Sequence, residues 1–303
     1  MKIINDKIII SEDLWLIING FNALDFSFKD HGISIPSTKI IELLRKDFSK
    51  QAQKVYGNVC FISEDEMKGS ILNLINNNNS DTIISLDKVY TNGNVFATLD
   101  CTRLEGSKEL VSRFTGKPID SQISLLSKKI KEETKSNKIT IVDDIIFSGE
   151  SLIAIKKLFE QNGIVIKKVL SGLTTNAAME FFKTLNIESD AAYLMSDTVE
   201  DEICERDFYF GIPQSGMTSI INGKIFKKPY FLPFGNPIKR ASVPQEFSKN
   251  FSTGCLCRSK YFWEETEKNS NGEILIKHLP EKIINTVDEN RVVSTLEDAI
   301  REL

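Results

Sequence analysis

The chain has 303 residues, 41% of them hydrophobic and 26% charged, with a formal net charge of −4. Such a sequence is long enough to bury a sizeable core, as one large or two smaller domains of ordinary globular composition. It lacks the basic excess of a broad nucleic-acid footprint, and no apolar run approaches a membrane span. Five cysteines at scattered positions argue against a disulfide framework and for reduced thiols. The opening MKIINDKIIISEDLW is too polar for a signal peptide, so a cytoplasmic location is expected.

Ile8–Ile10 reads as a short strand, and Ser11 with Glu12 and Asp13 as the start of a helix running to Gly20. His31 falls in a turn-like stretch and takes no role. Ser37 caps a firmer helix that stops at Gly57, with Ile40, Ile41, Leu43 and Leu44 at helical spacing. From Asn58 the rhythm changes. Val59–Ile62 is a strand, Ser63 and Glu66 form a capping-box signature, and a helix follows through Met67, Ile71, Leu72 and Leu74. Thr82–Leu86 and Val95–Leu99 read as two strands, joined into a β-hairpin by Asn92-Gly93. A charged, glycine-bearing stretch spans Arg103–Pro118, and a helix runs from Ile119 to about Thr134.

Strand and helix then alternate. Ile139–Val142 is a strand, 149–161 a helix, Val165–Leu170 a strand, Asn176–Leu185 a helix and Ala191–Met195 a strand. This alternation predicts an α/β fold with a doubly wound, mostly parallel sheet. Three segments are expected: a mostly helical N-terminal extension over 1–56, an α/β core over 57–196, and a hood with C-terminal extension over 197–303. In the last, Gly, Pro and aromatic residues crowd Phe208–Pro237, a helix-like run spans 244–268, and the tail from Glu281 reads as a helix pair or as partly disordered.

The chemistry concentrates in KITIVDDIIFSGESL, Lys138–Leu152. An apolar strand carries Asp143 and Asp144 at its carboxyl end, followed by Ser148-Gly149, Ser151 and a helix start. A helix N-terminus offers unpaired N–H groups and the positive end of the macrodipole, which suits phosphate. A Walker B reading needs a G-x-x-x-x-G-K-[ST] loop. Gly116-Lys117 is followed by Pro118, and the preceding glycine, Gly106, is too distant, so no such loop is present. A receiver domain has no need of Ser-Gly-x-Ser after its acids, and a dinucleotide fold places its glycines before the acid.

Val142–Ser151, VDDIIFSGES, resembles the 5-phosphoribosyl 1-pyrophosphate (PRPP) motif of the type I phosphoribosyltransferases. In that family a strand ends in two acids, with Ser/Thr-Gly-x-Ser/Thr three residues later. The resemblance implies a phosphoribosyltransferase-like core and transfer of a phosphoribosyl group to or from a base-like acceptor. Ile146, Phe147, Ser148, Gly149, Glu150 and Ser151 would hold the 5′-phosphate. Asp143 and Asp144 would hold the ribose hydroxyls directly or through Mg²⁺, with Gly149 letting backbone approach the ligand. The resemblance also implies a place in nucleotide metabolism. In the 6-oxopurine branch an Asp stands where this chain has Phe147, so a hypoxanthine- or guanine-type acceptor is not expected.

The family's other parts match less closely. Its pyrophosphate loop would fall on SEDEMKG, Ser63–Gly69, where Lys68 and Gly69 are the hospitable residues in an acidic run. Its mobile catalytic loop would fall either on the turn 90–94 beside Lys88 or on Arg103–Pro118, whose Arg103, Lys108, Arg113 and Lys117 would face a leaving pyrophosphate. The acceptor would meet Glu205, Arg206, Asp207, Phe208 and Tyr209, charged groups beside aromatic faces; aromatic core packing is the competing reading. ERDF at 205–208 followed by LPFG at 232–235 is similar to an arrangement in bacterial phosphoribosyltransferase-like proteins. Cys255, Cys257 and His278 lack a second tight pair, which favours buried thiols over zinc. The alternative to an enzyme is a non-catalytic PRPP or nucleotide sensor, an effector subunit of a regulatory or antiphage defence assembly. A homo-oligomer or a protein partner would suit either reading.

Overall fold

The computed structural model describes residues 1–19, 28, 32–78, 82–91, 93–107, 109–112, 116–270 and 272–303. In chain order the elements are β1 (Lys2–Ile4), β2 (Ile8–Ser11), α1 (Leu14–Asn19), α2 (Thr38–Tyr56), β3 (Val59–Ile62) and α3 (Glu64–Asn76). Next come β4 (Ile83–Ser85), β5 (Ala97–Thr98), β6 (Thr102–Arg103), β7 (Leu110–Val111), α4 (Ile119–Thr134), β8 (Lys138–Ile146), α5 (Glu150–Gln161) and β9 (Val165–Thr175). The remainder are α6 (Asn176–Thr184), β10 (Glu188–Met195), β11 (Asp201–Cys204), β12 (Met217–Ile221), β13 (Lys224–Lys228), α7 (Pro237–Arg240), α8 (Ser248–Ser270) and α9 (Val292–Glu302). They form two compact units. One comprises Met1–Asn5 with Glu64–Val199, the other Asp6–Ser63 with Glu200–Leu303.

The first unit is an α/β fold on a six-stranded sheet of order β1-β10-β9-β8-β4-β5, with every neighbouring pair parallel. A parallel sheet needs cover on both faces. On one face Ile139 and Ile141 of β8 and Ile166 and Val169 of β9 pack with α4, α5 and α6 through Ile123, Ile130, Ile155, Phe159 and Phe182. Gly172 has the opposite parity to Val169 along β9. A Cβ there would lie 2.6 Å from Met67 Sδ, so α3 covers the second face and Gly172 makes room for it.

Two expectations are corrected here. The strands expected as a hairpin around Asn92-Gly93 pair in parallel, Ile84 beside Ala97 and Ser85 beside Thr98; Asn92 itself lies outside the described residues. A hairpin needs one reversal between its strands and a parallel neighbour needs two, so the connection from β4 to β5 is more than a two-residue turn. It begins at Asp87, whose carboxylate accepts from the N–H groups of Val89 (2.7 Å), Tyr90 (2.8 Å) and Thr91 (3.1 Å) and coils the chain immediately after β4. Second, residues 1–5, expected within a helical extension, supply β1 at the edge of this sheet.

The second unit holds a three-stranded parallel sheet, β11-β2-β3, and the antiparallel hairpin β12–β13. β3, expected to open the core sheet, therefore belongs to this smaller sheet. Gly57, at φ 76°, ends α2 as expected, whereas Ser37 stands at the N-cap position without the side-chain hydrogen bond of a cap. Among the described residues beyond α8 the tail carries one short 3₁₀ turn, Ile276–His278, and from Glu281 on a single helix, α9, in place of a helix pair. Among the described residues no helix is long and apolar enough to cross a membrane. Gly20 and His31 lie outside the described residues.

Candidate active site

β8 extends past its apolar part. Asp143 pairs with Ser171, Ile145 with Leu173 and Ile146 with Thr174, so the two acids lie within the strand and not beyond its end. Each carboxylate folds back on the chain: Asp143 Oδ1 accepts from the Asp144 N–H (3.1 Å) and Asp144 Oδ1 from the Ile145 N–H (2.8 Å). Both side chains are half-buried. Residues 147–149 then turn the chain into α5, whose first-turn N–H groups have no partner within the helix.

The turn is held by residues the motif does not contain. Thr174 Oγ1 donates to the Ile146 carbonyl (3.1 Å) and Thr175 Oγ1 to the Phe147 carbonyl (2.7 Å). Thr175 also caps α6, its Oγ1 accepting from the Ala178 N–H (3.0 Å). Gly149 has φ 71°, in the left-handed region, and a Cβ there would lie 2.9 Å from Cε1 of Phe182. Expected to admit a ligand, this glycine has another reason to be there: it closes the turn against α6.

A cavity of about 230 Å³ opens over this turn, lined by Leu86, Arg103, Asp143 and residues 145–152. Arg103 reaches it from the small β6–β7 hairpin: its Nη2 donates to Ser151 Oγ (3.0 Å) and lies 3.8 Å from Glu150 Oε2. The strand leading to the hairpin is fastened at buried Asp100. Its carboxylate accepts from Ser112 Oγ (2.6 Å) and lies 3.5 Å from Lys88 Nζ, and its backbone is bonded at both N–H and carbonyl by the Gln122 amide. The surface thus combines a helix N-terminus, two serine hydroxyls, a guanidinium and two carboxylates, Asp143 and the Arg103-paired Glu150, groups suited to a sugar phosphate. Phe147 lines it too and is 41% exposed.

Of the residues expected at a site, Asp143, Arg103, Ile146, Phe147, Ser148, Gly149, Glu150 and Ser151 come together here. Asp144 is adjacent in sequence but does not line the cavity. Arg113 and Lys108 lie outside the described residues. Lys68 and Gly69 sit inside α3, so the segment expected as a pyrophosphate loop is helical. Leu86, Ile145, Leu152, Thr174 and Thr175 were not anticipated. Thr-Thr-Asn at the end of an apolar run is a helix N-cap signal that marks Thr175, but nothing in it points to Phe147.

The segment expected to meet an acceptor is core of the second unit. Phe208, Tyr209 and Phe210 are each 0% exposed, and Phe208 packs against Phe48, Phe251 and Tyr230. Glu205 accepts from Arg45 (2.9 Å), Arg206 is paired with buried Asp13, and Asp207 accepts from the Gly216 N–H (2.7 Å). Buried charges need such partners, and these groups hold their own segment in place. Burial drives the Tyr209 and Tyr230 phenols well above their ordinary range.

No group of three or more His, Cys, Asp or Glu among the described residues could hold a metal, and Cys255 is buried while Cys257 is exposed. A Mg²⁺ ion, which takes one or two carboxylates and completes its shell with ligand oxygens and water, is compatible with the oxygen donor Asp143 offers at the cavity.

No family model matches the chain, and none of the curated proteins does. Several solved structures are similar over part of it, among them the following two. UMP synthase of Leishmania donovani is 11% identical with a TM-score of 0.28, over 43% of this chain and 27% of its own. Orotate phosphoribosyltransferase of Aeropyrum pernix is 12% identical with a TM-score of 0.26, over 42% of this chain and 68% of its own. The chain thus spans about a quarter of the first and about two thirds of the second.

Proposed function

We propose that the protein is a Mg²⁺-dependent phosphoribosyltransferase that binds PRPP and transfers its phosphoribosyl group to or from a base-like acceptor. One observation carries this reading: Asp143, Ser148, Gly149, Ser151 and Arg103 line a single cavity at the amino end of α5. In this scheme the 5′-phosphate takes the first-turn N–H groups of α5 and the hydroxyls of Ser148 and Ser151. Asp143 accepts hydrogen bonds from the ribose hydroxyls, with Asp144 behind it.

The bond from the anomeric carbon to the pyrophosphate oxygen breaks, its electron pair leaves with pyrophosphate, and the acceptor nitrogen forms the new bond to that carbon. Arg103, and Arg113 of the same segment, stabilise the leaving charge, and the chain supplies position and electrostatics without a covalent nucleophile. Bound Mg²⁺ would neutralise pyrophosphate charge beside Asp143 and Asp144. The test is incubation with PRPP, Mg²⁺ and pooled nucleobases. Pyrophosphate release dependent on one base is expected, and PRPP binding without release from any base would refute transfer.

A second reading, a PRPP or nucleotide sensor acting in a larger assembly, is favoured by a specific pair of placements. Lys68-Gly69 is helical, and Glu205 to Tyr209 are buried. Both segments that the transfer reaction would draw on are thereby engaged in holding the fold. Tight binding by calorimetry, absence of turnover, and co-purification of a partner together identify this reading.

A further inference from the structure

A second, larger cavity of about 450 Å³ lies at the opposite end of β8 from Asp143, roughly 17 Å away for five residues of extended strand. Three lysines line it, Lys138, Lys167 and Lys168, together with hydroxyls of the turn that enters β8.

Two of these lysines are consecutive. Neighbouring residues of a regular strand point to opposite faces, so Lys167 and Lys168 ought to diverge. They share a cavity because the β8–β9 ladder slips here: Ile139 pairs with Ile166, but Thr140 pairs with Lys168, leaving Lys167 as an extra residue. A bulge of this kind re-aims a side chain. Lys168 is paired with Asp190. Lys138 and Lys167 have no carboxylate partner among the described residues.

The approach to Lys138 is itself fixed. Thr134 Oγ1 accepts from the Ser136 N–H (3.2 Å) and Ser136 Oγ from the Lys138 N–H (3.1 Å). On the far wall Asn78 Nδ2 donates to Thr140 Oγ1 (3.3 Å). Glu188 is the one carboxylate in the lining, against three ammonium groups.

From the slipped register, the two unpartnered lysines and the ordered hydroxyl turn, we infer that this cavity binds the phosphate group of a small anionic molecule. It is separate from the α5 cavity and independent of the function proposed above. Free phosphate and a phosphomonoester share the chemistry, and two probes separate them.

Titration of the isotope-labelled full chain with inorganic phosphate, and then with glycerol 3-phosphate, should move the amide resonances of Ser136, Lys138 and Lys167 saturably. Lys138→Gln with Lys167→Gln should weaken binding by about tenfold or more, as expected for loss of charge-assisted bonds. The charge-preserving pair Lys138→Arg and Lys167→Arg should retain it, which covers the case where the Gln variant does not fold. Tighter binding of glycerol 3-phosphate identifies the esterified source, and equal binding the free ion. No saturable shift at these residues, the same shift with chloride at equal ionic strength, or unchanged affinity in the Gln variant would each overturn the inference. The lysines would then only neutralise the carboxyl ends of α3 and α4, which also finish at this cavity.

Discussion

Gly149 and Phe182 are in such close register that a Cβ on the first would lie 2.9 Å from the ring of the second. The glycine also holds φ 71°. Gly149→Ala therefore meets both a backbone and a packing penalty, and should destabilise the first unit by more than about 1 kcal/mol. Urea denaturation of Gly149→Ala alone and with Phe182→Leu separates the two. The second change should recover part of the loss by removing the clash, and the backbone part should persist.

Thr175 joins the turn to α6 through one oxygen, donating to the Phe147 carbonyl and accepting from the Ala178 N–H. Thr175→Val removes both bonds at nearly constant volume. It should cost about 1–3 kcal/mol and weaken PRPP binding, while Thr175→Ser restores both properties. A Val variant that is as stable as the parent in a thermal melt would contradict the latch.

Arg103 pairs with Glu150 in the open, each side chain 41% exposed. Solvated pairs of this sort contribute little to stability. Arg103→Ala should leave the melting temperature unchanged and still reduce PRPP affinity, measured by calorimetry, with Arg103→Lys intermediate because a point charge replaces a fork. A drop in melting temperature equal to that of a core change would assign Arg103 to the fold instead.

Asp143 lines the cavity and Asp144 does not. Asp143→Asn should accordingly weaken PRPP binding by about tenfold or more, the scale of a hydrogen bond to a charged group, and Asp144→Asn by less. Equal affinities for both variants and the parent would remove the basis of the phosphoribosyl reading.

Cys255 is buried, and that burial pushes its thiol up to about 11 from 9.0, against the pull of Arg258. The folded state therefore keeps a proton that the unfolded chain begins to release near pH 9. The second unit should be at full stability from this source below pH 9 and lose it progressively toward pH 11. Cys255→Ala should flatten that slope in a pH series of denaturation midpoints. At neutral pH iodoacetamide should label exposed Cys257 and spare Cys255.

The readable parts of this protein were those whose cause is local. Apolar spacing gives α4 its limits at Ile119 and Thr134, and the order of acids, serines and glycine marks the turn after β8. The hairpin reading fails because a turn signature at Asn92-Gly93 says nothing of the longer connection it sits in, which opens with the Asp87 carboxylate gathering three N–H groups. β3 was assigned to the wrong sheet because VCFI reads alike in either. The aromatic run at 208–210 looked like a binding surface because composition does not tell a ring that faces a ligand from one that faces Phe48 or Phe251. Thr175 was invisible as a turn latch because its partner, Phe147, lies 28 residues away.

The chain passes between its two units at residues 5 and 6, again at 63 and 64, and once more at 199 and 200. Each unit is consequently assembled from two separated stretches, and no single cut releases either one whole. A fragment beginning at residue 57 would lack β1 from one sheet and β2 from the other at once. Reconstitution from pieces therefore calls for fragments that complement across all three crossings.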